Sequence, residues 1–178
     1  MYIYMYMKLI QVIGENGPII LFILSIIIFI NKTNLLIYNV VGGILNLFFN
    51  LFLKGLFKQP RPNEDMKKFN VMVKNGQRFI YKDGIPYDLF GMPSTHAQTV
   101  FFYTIYCFLA LNNNTYIIFL FISILTLIQR VMDEHHTFLQ VIIGSIIGSI
   151  VGYLFYNLSK TYYKKDLTHK KDDNCKIF

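Results

Sequence analysis

Five apolar runs divide this chain: Pro18 to Ile30, Leu35 to Leu53, Ala97 to Leu111, Tyr116 to Met132 and Phe138 to Leu158. A helix needs roughly 20 apolar residues to cross a bilayer core, and all five runs approach that length. The pattern therefore predicts an all-α fold, a polytopic transmembrane helical bundle of about five membrane helices. The first and third runs are short, which implies tilt or help from flanking residues. Residues 1 to 13 either extend the first helix or lie at the interface, and Gly14-Glu15-Asn16-Gly17-Pro18 reads as a break between them and the first run. Tight polar turns at Asn31 to Asn34 and Asn112 to Thr115 make the helices they join antiparallel neighbours. Residues 54 to 92 form the one long polar excursion. Its portion from Asn63 to Leu89, containing Tyr81-Lys82-Asp83-Gly84-Ile85-Pro86-Tyr87, reads as a solvated connector in preference to a turn-rich lid over a headgroup. The organisation expected is an N-terminal segment, 1–17, a membrane domain, 18–158, and a basic tail, 159–178. Gly144, Gly148 and Gly152 recur at every fourth position of the last run and leave one flank smooth for close helix packing.

Composition agrees with a membrane-embedded domain. The 178 residues are 54% hydrophobic and 17% aromatic, and the mean hydropathy is +0.42, too apolar for an ordinary soluble domain of this size. The formal charge of +7 comes mostly from the polar excursion and from the tail after Ser159, not from a stripe along a helix, so no nucleic-acid partner is expected. Cys107 and Cys175 are too few and too different in context for a disulfide framework. The first run lacks a basic start and a small-residue cleavage pattern, and reads as a retained anchor. Lys and Arg divide too evenly between the two membrane faces to fix orientation. Discounting those recruited for chemistry leaves the basic tail favouring a cytoplasmic C-terminus.

Three polar stretches interrupt this apolar chain where runs begin or end: Lys54-x6-Arg61-Pro62, Gly91-Met92-Pro93-Ser94-Thr95-His96 and Arg130-x5-His136. Alternate crossings bring all three to one membrane face. Phosphoryl transfer needs positive charge around equatorial oxygens, an in-line nucleophile and a proton donor for the leaving oxygen. Lys54, Arg61 and Arg130 supply the charge, with the planar fork of Arg matching phosphate oxygens; taken singly, each is equally an interfacial anchor that snorkels to headgroups. Pro93-Ser94-Thr95-His96 opens a helix, with Thr95 and Gln98 at capping-box spacing and Ser94 an equal candidate for the cap. Backbone N–H groups at such a start can meet phosphate oxygens, and His96 in the first turn can protonate a leaving group. Of His135 and His136, the latter has Gln140 one turn on, whose amide oxygen can accept the ring N–H and leave the other nitrogen free to attack phosphorus. Asp133, Glu134 and His135 read as headgroup-level polar residues. No pair of ligands at i, i+4 matches a zinc helix, and no metal or other cofactor is expected.

Together the three motifs resemble the type 2 phosphatidic acid phosphatase superfamily, whose pattern is Lys-x6-Arg-Pro, Pro-Ser-x-His and Arg-x5-His, over roughly residues 50 to 155. The resemblance implies that Lys54, Arg61 and Arg130 bind phosphate with Ser94 and Thr95, that His96 is the general acid, and that His136 forms a phosphohistidine without a metal. Two positions depart from the usual pattern: Thr95 stands where Gly is common, and Gln140 where Asp is common. The longer strings Gly91-Met92-Pro93-Ser94-x-His96-x-Gln98 and Arg130-Val131-x4-His136-Thr137-x2-Gln140-Val141 look like the dolichyl diphosphatase branch, in which Gln is expected. That branch implies a polyprenyl diphosphate substrate, membrane lipids as surroundings, and a lumenal active site at the endoplasmic reticulum. The alternatives are another lipid phosphate phosphatase with a phosphatidate-like substrate, a lipid-phosphate-binding protein that has lost turnover, and a vanadate-dependent haloperoxidase, which the membrane character disfavours.

Overall fold

A computed structural model describes residues 2–82, 84–111 and 114–174 of the chain. Asp83, Asn112, Asn113 and Cys175 lie outside the described residues. Among the described residues there are six helices, α1 (Tyr2–Phe29), α2 (Thr33–Phe57), α3 (Met66–Lys74), α4 (Thr95–Ala110), α5 (Tyr116–Met132) and α6 (Phe138–Asn174), with one hairpin, β1 (Phe79–Lys82) and β2 (Ile85–Asp88), between α3 and α4. The predicted helical bundle is present. Segments Ile10–Phe29, Thr33–Phe57 and Phe138–Thr161 are long and apolar enough to cross a membrane, while α5 is a shorter apolar helix. At 16 residues, α4 spans only about 24 Å. It packs against α1, α2, α5 and α6, so its neighbours, not lipid, cover most of it.

Burial is inverted relative to a water-soluble helix. On α2 the buried residues are Asn39, Gly42, Gly43, Asn46, Asn50 and Lys54, whereas Phe48 and Phe52 are 64% and 62% exposed. Large apolar side chains outside and amides inside suit a hydrocarbon surround, where polar groups must find partners within the bundle. Most find one across the helices, whereas Asn39 Nδ2 and Asn46 Nδ2 have no hydrogen-bond partner among the described residues. Ser25 Oγ donates to Asn39 Oδ1 at 2.8 Å, Asn50 Nδ2 donates to Gln98 Oε1 at 2.7 Å, and Gln98 Nε2 donates to Asn46 Oδ1 at 2.9 Å.

The closest packing is between α4 and α6, where the glycine flank expected from the sequence meets main chain. A Cβ built on Gly144 would lie 2.7 Å from the Ser94 carbonyl oxygen and one on Gly152 2.6 Å from that of Phe102, and Gly148 abuts the carbonyl of Gln98. These contacts fix the start of α4.

Two expectations are corrected. The Gly14–Pro18 stretch does not break the first helix, because α1 runs through Pro18. Gly14 and Gly17 instead allow close approach to α5, where added methyls would collide with Gln129 and Thr126. Pro18 removes one backbone donor, a loss a membrane helix tolerates when neighbours re-satisfy the freed carbonyls.

The polar excursion is folded and is not a solvated connector. Asp65 caps α3 by accepting from Lys67 N and Lys68 N at 2.8 and 3.3 Å. The hairpin pairs Phe79 with Asp88 and Lys82 with Ile85, and Gly84 at its tip has φ +78°, a left-handed value that glycine adopts without strain. Phe69, Leu89 and Phe90 form a small core here with Met72, Val73 and Ile80 around it. This cap ends directly above the start of α4.

Gly148→Ala is expected to destabilise the detergent-solubilised protein by about 1–3 kcal/mol, the cost typical of overpacking against main chain. Gly55→Ala, whose new methyl would have Arg78 Nη1 as its nearest neighbour at 3.6 Å, is expected to be neutral or mildly stabilising. Thermal unfolding of the two variants side by side checks the difference.

Candidate active site

The three motifs converge on the backbone of Gly91. The chain leaving α2 passes Lys58, whose φ of 46° turns it sharply. Gln59 and Pro60 then run antiparallel to Phe90 and Gly91: Pro60 bridges Phe90, and Gly91 N donates to Gln59 O at 2.7 Å. From the other side, His136 Nδ1 donates to the Gly91 carbonyl at 2.8 Å and lies 3.3 Å from Gln140 Oε1. Gln140 Nε2 donates to Pro60 O at 2.9 Å, which orients the amide so that its oxygen faces the histidine and the Thr137 N–H. Ser94 N donates to the Gln140 carbonyl at 3.1 Å. A Cβ on residue 91 would lie 2.8 Å from Gln140 Oε1, so a larger residue there would push the amide out of place.

Both partners of His136 Nδ1 are acceptors. The proton therefore sits on Nδ1 and the Nε2 lone pair is free. His136 is 3% exposed. Burial, reinforced by the charges of Arg61, Lys54 and Arg130 and opposed only by the hydrogen bond to Gly91, holds its pKa far below the usual imidazole value. It is neutral at physiological pH.

His96 lies beside Arg130. Its Nε2 is 3.2 Å from the Glu15 carbonyl oxygen, an acceptor only, so this nitrogen carries a proton. Arg130 Nη1 sits 3.3 and 3.4 Å from the two ring nitrogens. The guanidinium is steadied by Gln129, whose Oε1 accepts from Arg130 Nε at 2.8 Å and whose Nε2 donates to Asp133 Oδ2 at 2.6 Å.

Ser94 is the N-cap of α4, its hydroxyl accepting from Ala97 N. The Thr95–Gln98 capping box does not form. Thr95 Oγ1 donates to Asn50 Oδ1 at 2.6 Å, and Gln98 reaches α2. What Thr95 and His96 offer an anion at this helix start is their backbone N–H groups, which no carbonyl of α4 can reach. Lys54, buried at the end of α2, donates to Phe90 O at 2.9 Å and is 3.4 Å from Asp88 Oδ2. Arg61 Nε donates to Asp88 O at 3.1 Å, and its guanidinium lies 4.5 Å above the Tyr87 ring. Breaking a buried ion pair such as Lys54–Asp88 costs about 3–5 kcal/mol, so the cap and α2 are strongly coupled.

All eight residues singled out from sequence gather at this end of the bundle. Sequence reasoning missed Gly91 as acceptor for His136, Asn50 as partner of Thr95, and Asp88 as partner of Lys54. An acidic residue just before the apolar pair Leu89-Phe90 was the available signal for the last. Among the described residues no group of three or more His, Cys, Asp and Glu is arranged to hold a metal ion.

A cation-lined histidine site at one end of an apolar helical bundle is the arrangement of an integral membrane protein. The chain belongs to the PAP2 superfamily, whose family model matches residues 34–164. It is similar to the Arabidopsis thaliana protein named lipid phosphate phosphatase epsilon 1, chloroplastic, at 28% identity over 141 residues, covering 74% of this chain and 43% of that protein. The chain thus spans less than half the length of the curated relative it matches. No solved structure matches it.

The depressed pKa of His136 has a thermodynamic sign. The unfolded imidazole binds a proton below about pH 6.5 while the folded one stays neutral, so stability rises with pH up to that value and is progressively lost below it. His136→Asn is expected to remove part of this slope, read from chemical denaturation midpoints between pH 5 and pH 7.5.

Proposed function

We propose that this protein is a membrane lipid phosphatase acting through a phosphohistidine at His136. One observation carries the reading: the Nδ1 proton of His136 is held by Gly91 O and faced by Gln140 Oε1, leaving Nε2 unprotonated among Arg61, Lys54 and Arg130. In the proposed step Nε2 attacks phosphorus, the bond to the leaving oxygen breaks, and His96 gives that oxygen a proton. Water then attacks the phosphohistidine, yields a proton to the now neutral His96, and releases phosphate with His136 restored. An anion arriving on Arg130 favours the protonated, acid form of His96 by Coulomb attraction. Lys54, Arg61 and Arg130, with the N–H groups of Thr95 and His96 behind the Ser94 cap, are the proposed phosphate ligands.

The substrate we infer is a polyprenyl diphosphate of the dolichyl type, cut to the monophosphate at the lumenal face of the endoplasmic reticulum. Gln140, and the strings around Ser94 and His136, support that branch. The printed name of the Arabidopsis relative supports the broader class, a lipid phosphate. Residues 18–158 are the proposed catalytic unit. A second reading, lipid-phosphate binding without turnover, is favoured by the engagement of His96 with the Glu15 carbonyl and with Arg130.

Purified protein in detergent is expected to release phosphate from a polyprenyl diphosphate in the presence of excess chelator. His136→Ala should abolish release and His135→Ala largely spare it. Gln140→Ala should lower kcat only about tenfold, because Gly91 still fixes the ring. Lipid affinity without phosphate release in the wild type would favour the second reading, and equal loss at positions 135 and 136 would displace the proposed nucleophile.

A further inference from the structure

We propose that Arg78 and Asp88, in the folded cap, form a charge-balancing pair that positions the phosphate-facing cations Lys54 and Arg61 without cancelling their charge. The proposal rests on the reading of the motif site as a phosphate cradle. The Asp88 side chain faces Lys54 Nζ at 3.4 Å and accepts from Phe90 N at 3.0 Å, and its backbone carbonyl takes Arg61 Nε at 3.1 Å. One residue therefore holds both cations of the first motif. Left alone, that carboxylate would also repel a phosphate and draw Lys54 away from it.

Arg78 offsets this effect. Its Nε and Nη2 grip the two carboxylate oxygens at 3.2 and 3.0 Å, shorter than the Lys54 contact. The fork is itself fixed: Nη1 donates to Leu51 O at 3.0 Å, one turn before Lys54 on α2, and the guanidinium lies 5.0 and 5.4 Å from the rings of Phe79 and Phe90. Burial alone would push the Asp88 carboxyl up, but the Arg78 hydrogen bonds and the Lys54 charge outweigh it and hold the group below the usual carboxylate range. Asp88 is thus ionised at working pH, and Arg78 matches its charge in a planar, bidentate geometry that lysine does not offer. Lys54 gives one N–H to Phe90 O and faces Asp88 Oδ2 at 3.4 Å; with Arg78 matching the carboxylate, the ammonium keeps its field for a ligand.

The test is a double-mutant cycle read on orthovanadate, a tetrahedral anion whose binding needs no turnover, using the full chain in detergent. Arg78→Gln leaves an unmatched carboxylate and is expected to weaken orthovanadate binding about tenfold. Asp88→Asn keeps the acceptor for Phe90 N and the backbone carbonyl for Arg61 but gives up the Lys54 ion pair, and should weaken orthovanadate binding clearly less than Arg78→Gln does. The double variant should bind as Asp88→Asn does, without the further loss that Arg78→Gln causes alone. Turnover of a polyprenyl diphosphate should follow suit, with KM raised in Arg78→Gln and kcat nearly unchanged. Losses that add in the double variant, or an Asp88→Asn loss equal to that of Arg78→Gln, would reduce the pair to a structural clasp and overturn the proposal. A cycle as expected without lipid turnover would sink the phosphatase reading alone, whereas a wild type with no affinity for orthovanadate would overturn both.

Discussion

The main chain at Gly91 is the constraint on which the site depends. Its N–H donates to Gln59, its carbonyl accepts from His136, and its missing side chain admits the Gln140 amide. Three segments remote in sequence are therefore joined by peptide groups before any side chain meets a ligand. Backbone hydrogen bonds suit this task because they fix direction as well as distance and are costly to leave unmade in a buried setting. The histidine tautomer follows from a carbonyl, and the carbonyl's position follows from the bridge between Pro60 and Phe90.

Cations gathered in a low-dielectric end of a bundle repel one another, and something must hold them. Helix packing does part of this work. The glycines of α6 bring its backbone against α4, which aims the start of α4 at the cations, while the Asn46–Gln98–Asn50–Thr95 ladder prevents rotation of α4 against α2. The cap does the remainder, supplying a carboxylate to Lys54 and a carbonyl to Arg61. A buried polar ladder and a charged cap look wasteful for stability alone. They are intelligible as the cost of keeping like charges within reach of the one anion proposed to bind there.

Much of this was legible in the sequence, for a topological reason. Apolar run lengths gave the helices, and alternate crossings brought Lys54, His96 and His136 to one end without any knowledge of packing. The glycine flank at 144, 148 and 152 was readable because its period matches a helix face. The Gly14–Pro18 stretch misled because the same residues that terminate a helix in water permit close helix contact in lipid. The cap was illegible because its core comes from Phe69, Ile80, Leu89 and Phe90, too scattered to form a periodic signal. Gly91 was quoted within a motif, yet its role belongs to a carbonyl, and carbonyls leave no mark on composition.

Gln140 illustrates how a neutral residue serves where a carboxylate is common. An Asp at this position is one methylene shorter and has no N–H, so it could not donate to Pro60 while facing His136. The amide does both at once, 2.9 Å from Pro60 O and 3.3 Å from the ring. A carboxylate would also place a negative charge among Arg61, Lys54 and Arg130, the three groups whose charges act on His136, and would compete with the incoming anion for them. The amide leaves those charges unspent. In the proposed mechanism, the stabilisation of a transient imidazolium that a carboxylate would give is traded for a stronger field at the phosphate. With the ring already oriented by Gly91, orientation is not lost in the exchange.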